Sequence, residues 1–156
     1  MNLAKDLEIA LEIAYNAHKG QTDKAGASYI LHCLRVATSM STDEEKIVAL
    51  LHDIVEDTDT THEELYRNGF SSSVLDAVYA ITRQADEAYN SYLKRVAAND
   101  LAYKVKLADM WDNSDVSRFA VDTQNEHEQN CANYLVKRNK LITLRAKFIK
   151  ETKAKS

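Results

Sequence analysis

The sequence predicts an all-α fold, on three observations. Pro is absent and Gly occurs three times in 156 residues, too few for the many turns a sheet protein needs. Apolar residues recur at helical rather than strand spacing. Ser/Thr-x-x-Glu pairs, the sequence form of a capping box, precede two of the apolar runs. With 45% hydrophobic and 28% charged residues, the chain fits one globular domain with a real core.

Each element has its own signal. Leu3, Leu7, Ala10, Leu11, Ala14 and Ala17 place a first helix over 2–18. Gly20 and Gly26 bracket a polar loop over 21–28, and a second helix over 29–39 carries His32 and Arg35. Ser41-x-x-Glu44 and Thr42-x-x-Glu45 start a third helix over 43–57. Thr60-x-x-Glu63 and Thr61-x-x-Glu64 open a short one that ends at Gly69, a natural residue to follow a helix. Helices follow over 72–83, 86–98 and 100–112, where Val105, Leu107 and Ala108 are expected to be buried. A last helix runs over 123–150. The domain is thus expected to span 1–150, with 151–156 as a basic tail prone to fraying.

Charge and cysteine content narrow the function classes. Net charge is −4, yet residues 135–156 hold eight Lys/Arg against one Glu, leaving −11 on residues 1–134. An acidic body suits polyanion binding poorly unless a divalent cation changes the local sign. Nucleic acid is therefore an unlikely partner, and the basic tail reads first as a solvated helix face. Cys33 and Cys131 form neither a disulfide framework nor a thiolate zinc motif, and are expected to be reduced and partly buried. No apolar stretch is long enough to cross a membrane. The first residues lack a signal-peptide layout, so a cytoplasmic setting is expected. Trp111 and the eight tyrosines read as core and pocket-wall residues. Oligomerisation is left open.

The chemistry concentrates in Leu50-Leu51-His52-Asp53-Ile54-Val55-Glu56-Asp57-Thr58. With about 100° per residue, Glu56 lies at about 40°, Asp53 at about 100° and Asp57 at about 140° from His52, opposite the apolar stripe. That wheel fits a charged face in water and a catalytic face equally well. Three acidic residues so close together repel one another without a cation. His32 lies among apolar residues of the second helix, and Asp109 lies beside an apolar stripe with Asn113 at i+4 on the same face. A buried Asp needs a strong partner, and a metal is one. His32, His52, Asp53 and Asp109 together make a mixed imidazole–carboxylate set suited to Mn²⁺, Zn²⁺ or Fe²⁺.

The spacing His32 … His52-Asp53 … Asp109 resembles the HD-domain phosphohydrolases. Three blocks narrow the resemblance: Ala17-His18-Lys19-Gly20-Gln21-Thr22-Asp23-Lys24-Ala25-Gly26 with Tyr29-Ile30-Leu31-His32, then Leu50 to Thr58, then Val105-Lys106-Leu107-Ala108-Asp109. They are similar to the hydrolase domain of the RelA/SpoT family, which removes pyrophosphate from (p)ppGpp. The resemblance covers about residues 5–120. It implies an HD-domain helical fold with a Mn²⁺ site, in which His32, His52, Asp53 and Asp109 are the metal ligands. It implies that Glu56 and Asp57 activate water and transfer protons, that Lys24 lies near substrate phosphate, and that Asn113 lines the nucleotide pocket. Tyr29, three residues before His32, is expected beside the site. A chain of 156 residues has no room for the family's synthetase domain, so the resemblance points to a small standalone hydrolase.

Three positions depart from the family. Asp23 stands where an arginine packs against the guanine base, Ser28 where a proline precedes the Tyr-Ile pair, and Asp115 where an arginine follows the asparagine. Arg118 or Arg35 are the candidates to compensate. The expected activity is hydrolysis of the 3′-pyrophosphate of (p)ppGpp to GDP or GTP. Hydrolysis of another nucleotide and a non-catalytic nucleotide-binding module are the alternatives.

Overall fold

A computed structural model describes residues 3–155, and no strand occurs among them apart from an isolated bridge between Thr22 and Ser28. The helices are α1 (Leu3–Ala17), α2 (Ile30–Thr38), α3 (Asp43–Leu51), α4 (Ile54–Asp57), α5 (His62–Arg67), α6 (Ser72–Ile81), α7 (Tyr89–Ala98), α8 (Asp100–Asn113) and α9 (Gln124–Lys153). A single 3-10 turn, Val116–Arg118, joins α8 to α9. The all-α expectation holds. Residue 2 of the predicted first helix lies outside the described residues.

The fold is built around α3, which packs against α1, α2, α6 and α8. A full capping box starts it: Thr42 Oγ1 accepts from the Glu45 amide, and the Glu45 carboxylate accepts from the Thr42 amide. Ile47, Val48, Ala49, Leu50 and Leu51 are all buried, and each large aliphatic side chain contributes about 1.5–3 kcal/mol by leaving water. Glu45 is buried too, with Lys104 Nζ at 2.5 Å. Asp43 and Lys46 in its first turn stay part-exposed, but its buried second half, Ile47–Leu51, delivers the charged step that follows, His52-Asp53, against His32 of α2 and Asp109 of α8 instead of water.

Several boundaries differ from the sequence expectation. The single helix expected over 43–57 is broken at His52 and Asp53. Asp53 sits at φ −105°, ψ −1°, between the helical and extended regions. The His52 ring Nδ1 donates to the Ala49 carbonyl oxygen at 2.7 Å, the group that residue 53 would reach in an unbroken helix. The helix expected from 86 begins at Tyr89, because Asp86 has φ +60°, a left-handed conformation that a helix cannot include. The last helix is also longer than expected. α9 continues to Lys153 across the expected end at 150, packing on α7 and α8, with Leu141 buried and the Arg145 guanidinium donating to the Ala97 carbonyl.

Both cysteines are free and fully buried, more so than expected, and burial pushes the Cys33 thiol up to about 11. The aromatic expectation fails in part. Trp111 is 62% exposed, and Tyr15, Tyr66 and Tyr79 are also exposed. Helical periodicity alone did not show that the α8 face carrying Trp111 borders an open groove. Among the described residues, no helix is long and apolar enough to cross a membrane.

Candidate functional site

Three places in the chain deliver four side chains to one point. His32 comes from the first turn of α2, His52 and Asp53 from the break between α3 and α4, and Asp109 from the last turns of α8. One ligand atom from each lies within 4.8 Å of all the others. His52 Nε2 is 2.8 Å from Asp53 Oδ2, and His32 Nε2 is 3.2 Å from Asp109 Oδ1. The solvated-face reading of His52 is overturned, since its side chain is fully buried.

The donor set fits a divalent cation. His52 Nδ1 is committed to the Ala49 carbonyl and His32 Nδ1 to the Asp112 carboxylate at 2.7 Å. A proton on each Nδ1 leaves the Nε2 lone pair free to ligate. Both Nε2 atoms are buried and face the Asp53 and Asp109 carboxylates, so two imidazole nitrogens and two carboxylates converge on one point that a cation can fill. Burial by itself works against charge on these groups, but the opposed partners prevail. His52 is held well above the ordinary imidazole range by Asp53 and Asp109. Burial raises the Asp53 carboxyl, yet the His52 charge brings it down to about 2. Asp109 is likewise held low, against burial, by Lys106 and the two histidines. Cation binding therefore releases protons from the imidazoles.

A second layer fixes the ligands. The Tyr29 hydroxyl donates to Asp53 Oδ2 at 2.5 Å, and Asn113 Nδ2 donates to Asp109 Oδ1 at 2.7 Å. Lys106 Nζ lies 2.7 Å from Asp109 Oδ2. Asp112 is a hub: it accepts from His32, from both Nε and Nη2 of Arg35, and from Arg118 Nη1 at 3.0 Å. Sequence reasoning missed Lys106 and Asp112 as site residues. Lys106 could have been found as the i−3 neighbour of Asp109 on one helix face. Asp112 gave no signal, because its partners come from α2 and the 3-10 turn.

His32, Asp53 and Asp109 line a pocket of about 370 Å³, with His52 buried behind them, and its walls include Lys24, Tyr29, Asp57, Lys106, Asn113 and Arg118. Asp57 lines this pocket, and Glu56, one residue before it, is exposed outside the lining. Glu56 Oε1 accepts the Arg83 amide at 2.5 Å. Burial lifts both carboxyls above their ordinary range, and neighbouring Asp53 adds to the shift. Lys24 is exposed on the loop. Asp23 is not offered to the pocket as a free side chain. Its Oδ1 accepts the Ala25 and Ala27 amides, and its Oδ2 lies 3.5 Å from Arg118 Nη1. Asp115 is likewise spent locally, accepting from the Ser117 amide. Lys24, Tyr29, Asp57 and Asn113 therefore lie around this pocket, Tyr29 and Asn113 hydrogen-bonded to Asp53 and Asp109, while Glu56 lies outside its lining.

This helical frame with its His–His-Asp–Asp centre defines a class, and comparison agrees with it. The HD domain family model matches residues 10–110, and the chain belongs to that family. Among curated relatives, a guanosine-3′,5′-bis(diphosphate) 3′-pyrophosphohydrolase of Aquifex aeolicus is 34% identical over 122 residues, 70% of this chain and 17% of the relative. The bifunctional (p)ppGpp synthase/hydrolase SpoT of Escherichia coli is 37% identical over 83 residues, 51% of this chain and 12% of SpoT. The chain thus spans less than a fifth of the length of these relatives. A solved structure described as a metazoan SpoT ortholog that hydrolyzes ppGpp superposes with a TM-score of 0.64 at 21% identity, covering 94% of this chain and 95% of that one. That likeness establishes the fold.

Proposed function

We propose that this HD domain is a Mn²⁺-dependent hydrolase that removes the 3′-pyrophosphate of (p)ppGpp, giving GDP or GTP and pyrophosphate. The observation that carries it is the buried convergence of the His32 and His52 Nε2 atoms on the Asp53 and Asp109 carboxylates, with Glu56 and Asp57, two carboxyls of raised pKa, next along the chain. The names of the relatives supply the substrate. His32, His52, Asp53 and Asp109 hold the ion in this reading. When bound, a divalent ion brings the pKa of water from about 16 towards 7 and polarises a phosphoryl oxygen.

The chain's own residues do the rest. Glu56, steadied through Oε1 by the Arg83 amide, accepts the water proton at its other oxygen. The water oxygen bonds to the phosphorus attached to the ribose 3′ oxygen. The bond from that phosphorus to the 3′ oxygen breaks, and the 3′ oxygen takes the proton. Asp57 holds Glu56 or the water, Lys24 offsets phosphate charge, and Tyr29 and Asn113 keep the ligand carboxylates aimed while lining the substrate site. A small nucleotide is the partner. We propose residues 1–150 as the working unit and the cytoplasm as its setting, where free thiols such as Cys33 and Cys131 persist.

A second reading rests on Asp23 being tied into its own loop while Arg118 lies in the pocket wall: the chemistry is kept and the base differs. Turnover of ppGpp, pppGpp and a nucleotide panel with Mn²⁺, followed by pyrophosphate and phosphate release, separates the two. Pyrophosphate from ppGpp supports the first reading. Release only from another nucleotide supports the second. Tight ppGpp binding without release from any substrate would make the domain a binding module.

A further inference from the structure

The α8 helix presents two opposite faces to two cavities. Lys106, Asp109 and Asn113 line the ligand pocket. Lys104, Leu107, Ala108 and Trp111, about 180° around the helix, line a second groove of about 420 Å³ between α2, α8 and α9. That volume falls in the range of small-molecule sites, about 300–1,000 Å³.

Its chemistry is that of a flat, anionic ligand. The floor is apolar, with Met40 and Leu107, and the indole of Trp111 lies 62% exposed beside it. Three cations border it: Arg35, Lys104 and Arg138. Two are already matched, Lys104 by Glu45 and Arg35 by Asp112. Arg138 is not. Its guanidinium sits 5.5 Å over the Trp111 ring, and its Nε is buried without a hydrogen-bond partner. Asp112 is the one carboxylate in the lining, and both its oxygens are engaged by Arg35. A local excess of positive charge stands out on a chain of net charge −4. An exposed indole offers a stacking surface for a ring, and a guanidinium offers paired donors to phosphate oxygens.

We propose that this groove is a second ligand site, separate from the metal pocket, for a small molecule of nucleotide type: a planar ring on Trp111 and a phosphate on Arg138 and Lys104. The groove is joined to the metal centre by a short path. Arg35 borders the groove and grips Asp112, which holds His32.

Trp111 is the only tryptophan in the chain, so its fluorescence gives a single signal from the wall of this groove. The full-length protein in EDTA is titrated with GDP, ADP, guanosine and inorganic pyrophosphate, with excitation at the red edge of the indole band. GDP or ADP should give saturable quenching with half-saturation below about 1 mM, and guanosine or pyrophosphate alone should bind at least tenfold more weakly. Arg138→Gln and Lys104→Gln, each checked for an unchanged circular dichroism spectrum, should each weaken nucleotide binding at least fivefold, while Lys24→Ala should leave it unchanged. Three results overturn the proposal. One is no saturable change with either nucleotide. Another is pyrophosphate binding as tightly as GDP, which makes the groove a bare anion site. The third is quenching lost in Lys24→Ala yet kept in Arg138→Gln and Lys104→Gln, which assigns the signal to the metal pocket.

Discussion

At the inner end of the pocket, His32, His52, Asp53 and Asp109 come from helices packed around α3, and each is fixed by a named second partner. At the mouth, Lys24, Glu56 and Asp57 are exposed, Asp23 is spent on its own loop and Arg118 stands on a 3-10 turn. The inner end is over-determined by the core, so it tolerates no change of register. The mouth rests on loops and short turns, where residue identity can change while the fold stays. Chemistry and recognition are therefore held with different stiffness in one pocket.

The largest test of that contrast is at the inner end. Asp53→Ala should lose bound metal and cut turnover on the order of a thousandfold or more. Full turnover by a metal-free Asp53→Ala protein, with metal measured by plasma emission, breaks the assignment. Glu56→Gln comes next, with a rate loss on the order of 10²–10⁴ and metal content near wild type. Burial raises the Glu56 carboxyl, and only its deprotonated form accepts a proton. The wild-type kcat/KM should therefore fall as pH drops through a pKa above about 4.3, the ordinary glutamate value. That acid limb should vanish from the residual activity of Glu56→Gln, and its persistence would assign the base elsewhere.

Smaller effects probe the supports. Asp112→Asn keeps the shape but weakens the grip on His32 Nδ1, so metal affinity should fall about 10–100-fold. Unchanged affinity in a metal titration would remove Asp112 from the site. At the mouth, Lys24→Ala should raise KM by about tenfold and move kcat little, the pattern of lost ground-state binding. An equal drop in kcat instead would place Lys24 at the reacting phosphate.

The same contrast explains what was legible in the sequence. The helices announced themselves through periodicity and caps: Thr42 with Glu45 and Thr61 with Glu64 form the boxes expected of them. The convergence of His32, His52, Asp53 and Asp109 was legible through the spacing that resembles HD domains, since the wheel around His52 fitted a wet face equally well. The break at His52 was not, since a wheel assumes constant rotation. It also treats every polar face as wet, while His52 and Asp53 meet His32 of α2 and Asp109 of α8. Asp112 and the Trp111 groove depend on contacts between α2, α8 and α9 that no local pattern encodes. Asp23 was visible as a departure, but its turn inward onto Ala25 and Ala27 required coordinates.

The interruption between α3 and α4 sets a limit on engineering. A designer seeking a higher melting temperature would be drawn to residues 51–54 as an imperfection, since continuous helix is the more favourable backbone. Substitutions that restore regular geometry there would act against the placement of His52 and Asp53. They would yield a protein that resists heat better and catalyses worse, a trade-off common where function depends on local irregularity. Thermostabilising changes in this family are better sought on the outer surface of α9.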